Sequence, residues 1–194
     1  IPSRLLEAET SIPLVREASS PLTTDKLRAL FGMMSLSSFD DVYPPLQRIL
    51  PLLDLDTLSE FSWEIFQVWD EWCPEFMHAK QTKIKKEAEW MYHCLGYMGN
   101  DQTVKKLIPL IKSWPKSGGM NKAVTGLDIL ANSGSDFAIR SINSILLKTK
   151  YKPLLERASD IMDKVADVRG LTKAELDDRL VPTFGLDKPD SFVL

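Results

Sequence analysis

Residues 88–101 read AEWMYHCLGYMGND, and residues 123–136 read AVTGLDILANSGSD. They align without gaps at an offset of 35 residues, Ala88, Tyr92, Leu95, Gly96, Gly99 and Asp101 falling opposite Ala123, Leu127, Leu130, Ala131, Gly134 and Asp136. The register continues downstream. Val104, Leu107, Leu110 and Ile111 fall opposite Ile139, Ile142, Ile145 and Leu146, and a fainter third copy runs through Ala158, Met162, Val165 and Ala166. Self-similarity at a period of about 35 residues is the signature of two-helix repeat folds.

The residue types explain the pattern. Ala88, Tyr92 and Leu95 are spaced to share one helix face. Small residues at Ala88 and Ala123, and at Gly96 and Ala131, let a neighbouring helix approach. Gly99 and Gly134 are expected as left-handed C-caps, and Asp101 and Asp136 as N-caps of the helices that follow. One helix pair cannot bury its apolar face alone, so the pairs must stack. The expectation is an all-α fold, a right-handed α-solenoid of about four HEAT-like helix pairs, with an irregular helical bundle as the competing arrangement.

Outward from this stretch, the same logic places the other elements. Thr23 or Thr24 caps a helix over 23–35 whose apolar face is Leu27, Leu30, Phe31 and Met34. Pro44 and Pro45 suit the first turn of a helix over 41–53, and Pro51 should kink it. The string Ile49-Leu50-Pro51-Leu52 is echoed by Leu107-Ile108-Pro109-Leu110. Residues 57–72 carry an aromatic stripe, Leu58, Phe61, Ile65, Trp69 and Trp72 with Phe66 beside it, read as core rather than as a stacking platform. Further helices are expected near 81–98, 101–114, 119–133, 136–149 and 152–168. Gly170 caps the last of these. Thr172 and Glu175 form a capping box that opens a short helix through Leu180. A short helix near 3–9 and a strand beginning at Phe192 complete the reading. It divides the chain into an N-terminal helical segment (1–38), HEAT-like repeats (39–169), and a capping helix and tail leading towards a further domain (170–194).

Apolar residues make up 44% of the 194 and charged residues 26%, which places the chain among globular proteins rather than disordered ones. A chain of this length buries roughly 70% of its unfolded surface. No apolar run reaches the ~18 residues of a membrane span, and no signal-peptide pattern opens the sequence. A start at Ile1 reads as an excerpt from a longer protein. Two cysteines, Cys73 and Cys94, are too few for a disulfide framework and fit reduced thiols in a cytoplasmic protein.

The formal net charge of −3 is unevenly spread. Residues 1–79 hold 5 basic and 13 acidic side chains, whereas residues 80–169 hold 16 basic and 9 acidic. Such asymmetry has three readings: charged partners, attraction between neighbouring layers, or no functional meaning. Lysines near helix ends form the one surface with candidate chemistry: Lys83, Lys86, Lys105, Lys106, Lys112, Lys116, Lys148, Lys150 and Lys152. Lined up along a solenoid edge, they would suit an anionic or nucleic-acid backbone, the favoured alternative being a plain solvated lysine-rich surface. With Arg140 alone in mid-region, bidentate base readout is not expected.

Catalytic patterns are missing. Cys73, His78, His93 and Cys94 lack zinc-ligand spacing, because adjacent helical residues point about 100° apart. No base stands beside a nucleophile and no phosphate-binding loop occurs. Asp177 and Asp178 read as a solvated face near Arg179. Neither enzymatic activity, nor a cofactor, nor a metal is expected.

Several strings of the C-terminal half carry a resemblance: Gly126-Leu127-Asp128-Ile129-Leu130-Ala131, Gly134-Ser135-Asp136, Arg169-Gly170-Leu171-Thr172, Glu175-Leu176-Asp177-Asp178-Arg179-Leu180-Val181-Pro182 and Gly185-Leu186-Asp187. Over residues 85–190 the chain resembles large bacterial proteins of the molybdate-metabolism-regulator type, which carry a domain of unknown function and often an N-terminal WGR domain. The resemblance implies a HEAT-like helical region inside a longer chain and supplies no catalytic residues. The expected role is a protein-interaction scaffold with an unidentified protein partner and no membrane, the alternative being backbone-directed nucleic-acid binding.

Overall fold

A computed structural model describes residues 16–17, 20–72 and 88–180 of the chain. The expected helix at 3–9, the loop at 73–80, the helix start at 81–87 and the strand at 192–194 lie outside these residues. What is described is all-α, apart from a two-residue antiparallel ladder of Arg16–Glu17 (β1) with Ser20–Pro21 (β2). The helices are α1 (Thr24–Ser35), α2 (Pro44–Ile49), α3 (Leu55–Trp72), α4 (Trp90–His93), α5 (Leu95–Met98), α6 (Asp101–Ser113), α7 (Met120–Ser133), α8 (Asp136–Lys148), α9 (Lys152–Arg169) and α10 (Lys173–Leu180). No helix among the described residues is long and apolar enough to cross a membrane.

Local chemistry accounts for most boundaries. Thr23 caps α1 by accepting from the Lys26 N–H at 3.5 Å. Pro44 and Pro45 open α2, and at Pro51 the chain tightens into a 3₁₀ turn over Leu50–Leu52, as a ring without an N–H requires. Pro153 stands in the first turn of α9, and Gly170 ends that helix at φ 63°. The Thr172–Glu175 capping box is present: the Glu175 carboxylate accepts from the Thr172 N–H at 2.8 Å, and the Glu175 N–H donates to the Thr172 hydroxyl at 3.3 Å.

Two cap expectations need correction. Gly134 is left-handed at φ 66°, but Gly99 is extended at φ −76° and ψ 154°. Gly99 is required for a different reason: a Cβ there would lie 2.4 Å from the Leu95 carbonyl oxygen and 2.9 Å from Thr103 Cγ2. Thr103 cannot retreat freely, because its hydroxyl bonds Ser59 Oγ at 2.7 Å and accepts from the Asn100 N–H. Gly99→Ala is therefore expected to cost about 1–3 kcal/mol by overpacking, measurable as a lower urea midpoint. The second correction concerns Asp101 and Asp136, which occupy the first turns of α6 and α8. The N-caps are the preceding residues, Asn100 and Ser135, whose side chains accept from Thr103 N–H at 3.3 Å and Ala138 N–H at 3.1 Å.

From α6 to α10 each helix packs on its chain neighbour and on the next but one. α3 lies against α4, α5 and α6; α5 and α6 against α7; α6 against α8; α7 against α8 and α9; α8 and α9 against α10. At the N-terminal end α1 packs on α2 and α4. The aligned alanines Ala88, Ala123 and Ala158 are all buried, as are their partners Tyr92, Leu127 and Met162. The stripe Leu58, Phe61, Ile65 and Trp69, with Phe66, is buried in the same core.

One edge is tied by a recurring polar link. The first-turn Asp of each of three helices accepts from a residue near the start of the next such helix, or at the end of α9. Asp56 of α3 takes Asn100 Nδ2 at 3.1 Å, Asp101 of α6 takes Ser135 Oγ at 2.7 Å, and Asp136 of α8 takes Arg169 Nη2 at 2.8 Å. These carboxylates also complement the positive ends of the helix dipoles. The C-terminal turns of α6 and α8, about 20 Å away by helix rise, carry Lys112 and Lys148.

Candidate functional site: a lysine-lined groove

The edge opposite the Asp ladder is built by two chain reversals. After α6, Trp114–Lys116 forms a 3₁₀ turn around Pro115, and Gly118 at φ 93° redirects the chain into α7. After α8, Thr149 is extended, and Tyr151 stands at the N-cap of α9 without a side-chain cap bond. Between the reversals lies a groove of about 300 Å³. Its charged lining is Lys112, Lys116, Lys148 and Lys150, all exposed. Its apolar lining is the buried Ile145 and Leu154 with the half-buried Tyr151. Lys150 Nζ lies 5.9 Å from the Tyr151 ring centroid, a cation–π distance. Among the described residues no carboxylate lines the groove, so four ammonium groups raise the local positive potential together.

The other candidate lysines go elsewhere. Lys105 lies over the Phe137 ring at 5.7 Å and Lys106 over the Trp63 ring at 5.2 Å, both from within α6. Lys152 pairs with Glu156 one turn on at 3.5 Å, both exposed, an interaction worth about 0.3–0.5 kcal/mol. Lys83 and Lys86 lie outside the described residues. Four of the nine candidate lysines therefore meet on one groove.

A second groove, about 390 Å³, lies beside α7 and α9. Its charges are largely matched: Arg157 Nε donates to Asp128 Oδ1 at 2.5 Å and Arg169 to Asp136 at 2.8 Å. Burial raises the Asp128 carboxyl above its ordinary range, with Arg157 opposing the shift.

Among the residues weighed for metal binding or nucleophilic chemistry, Cys73 and His78 lie outside the described residues. Cys94 is buried and donates weakly to the Met91 carbonyl at 3.2 Å; burial pushes its thiol far above the usual range, which suppresses the reactive thiolate. His93 packs edge-on against Phe39 at 4.8 Å, its pKa lowered by burial with Asp40 opposing. No group of three or more His, Cys, Asp or Glu residues able to hold a metal occurs among the described residues. Asp178 and Arg179 are exposed on α10.

Lys122, which no sequence pattern singles out, is held by an ion pair and two aromatic rings. Its ammonium pairs with Asp70 of α3 and lies 5.5 Å and 4.7 Å from the ring centroids of Trp69 and Trp114. It joins the acidic N-terminal third to the basic segment 80–169. Asp70 and Lys122 are remote in sequence, so only the tertiary packing of α3 reveals the pair.

No family model matches the chain, and no solved structure matches it. It is similar to the uncharacterized protein YehI of Escherichia coli strain K12, 30% identical over 181 residues and 93% of this chain. The chain spans 14% of the length of that relative.

Proposed function

We propose that the chain is a segment of right-handed α-solenoid, about four HEAT-like helix pairs, acting as a non-catalytic scaffold for protein–protein interaction within a larger bacterial protein. The observation that carries this reading is the packing order from α6 to α10, each helix on its neighbour and on the next but one, which is how stacked helix pairs share a core. The buried alanines at a 35-residue offset support the same register. The similarity to a short portion of a much longer relative supports the larger context, and the resemblance to molybdate-metabolism-regulator proteins is of the same kind. A buried free thiol at Cys94 fits a cytoplasmic setting. The test is affinity capture with the full-length protein and with a version lacking this segment. Loss of a reproducible subset of partners on deletion is expected; identical partner sets overturn the scaffold.

The lysine groove favours a second reading, backbone-directed nucleic-acid binding. It requires duplex DNA to bind at low salt and to dissociate along a steep log–log salt dependence. Absence of binding at about 50 mM salt removes it. The apolar part of the groove lining weighs against it, since a phosphate backbone offers nothing to bury there.

A further inference from the structure

We infer that the groove between the two chain reversals docks an acidic peptide segment bearing one large apolar side chain. This rests on the scaffold reading and names the chemistry of one partner. Two features must be matched together. The first is charge. Lys112 and Lys148 sit in the last turns of α6 and α8, where helix dipoles already call for cations. Lys116 and Lys150 lie outside those turns and have no such duty. Lysines act as point charges on flexible stems, so they accept carboxylates along an extended peptide without demanding one geometry. The uncapped start of α9 adds N–H donors of the same polarity.

The second feature is the apolar lining from Tyr151, Ile145 and Leu154. At about 300 Å³ the groove is at the lower end of ligand-site volumes, which suits one aromatic or aliphatic side chain. An acidic peptide satisfies both features at once, whereas a nucleic-acid backbone satisfies only the charge.

The test uses the 194-residue chain and three fluorescein-labelled probes at about 100 mM salt, where long-range attraction is screened. They are the peptide Glu-Asp-Glu-Phe-Asp-Glu, the same peptide with Ser in place of Phe, and a duplex DNA. Anisotropy is expected to show the Phe peptide binding at least about tenfold tighter than the Ser peptide, the scale of one buried aromatic side chain. The double variant Lys116→Glu with Lys150→Glu, both exposed, is expected to melt like the unsubstituted chain and to bind the Phe peptide about tenfold more weakly. Equal binding of the two peptides, tighter binding of DNA, an unaffected double variant, or no peptide binding at all overturns the inference. None of these outcomes bears on the deletion capture, which decides the scaffold by itself.

Discussion

Ala123→Asp is expected to destabilise the fold by about 3–5 kcal/mol, the scale of an uncompensated buried charge. Ala123 is fully buried in α7. That helix packs on α5, α6, α8 and α9, so a carboxylate there meets side chains from several directions and little water. At this chain length each kcal/mol moves the melting temperature by about 2–4 °C, so a drop of the order of 10 °C is expected. Ala123→Ser, with nearly the same volume and no charge, should lose far less. A melt of the Asp variant within a degree or two of the parent chain would mean that Ala123 faces solvent, and the 35-residue register would fall with it.

Tyr92→Ala carries the next largest effect, about 3–5 kcal/mol, as large aromatic truncations in a closed core do. Tyr92 is buried at the crossing of α3, α4 and the turn after α6. Its ring stacks on Trp69 at 5.0 Å, lies 5.2 Å from Phe66, and meets Trp114 edge-on at 5.9 Å. Its hydroxyl donates to the Lys122 carbonyl at 3.0 Å, and Gly126 leaves it room: a Cβ at Gly126 would lie 2.7 Å from that oxygen. Burial, reinforced by Asp70 and Asp128, holds the hydroxyl well above the ordinary tyrosine range, so it stays a neutral donor at any pH the fold meets. Tyr92→Phe keeps the rings together and loses one hydrogen bond, about 1 kcal/mol. Urea melts followed by tryptophan fluorescence separate the two variants. If Tyr92→Phe cost as much as Tyr92→Ala, the hydrogen bond rather than the ring packing would hold α4 to α7.

The structure also ranks the lysines. Their clustering near helix ends is visible in the sequence, and the helix dipole explains it for Lys112 and Lys148. Spacing alone does not separate those that converge from those that turn to Phe137, Trp63 or Glu156, because an ammonium on a four-carbon stem reaches in many directions. Lys122 is the converse case: nothing near it in sequence marks it, yet it bridges an ion pair and two indole rings.

By itself the sequence determined the all-α character, most helix limits, the caps at Gly134, Gly170 and Thr172, and the burial of Ala88, Ala123 and Ala158. These are local or periodic properties. A helix reports its buried face every three to four residues, and its ends are chosen by groups within one turn. Only the tertiary structure decided why Gly99 must be glycine, that Asn100 and Ser135 rather than the following aspartates cap their helices, how Asp56, Asp101 and Asp136 link successive helices, and which lysines share a groove. Those outcomes depend on atoms that meet across layers, and the distance between layers is set by how the whole core packs.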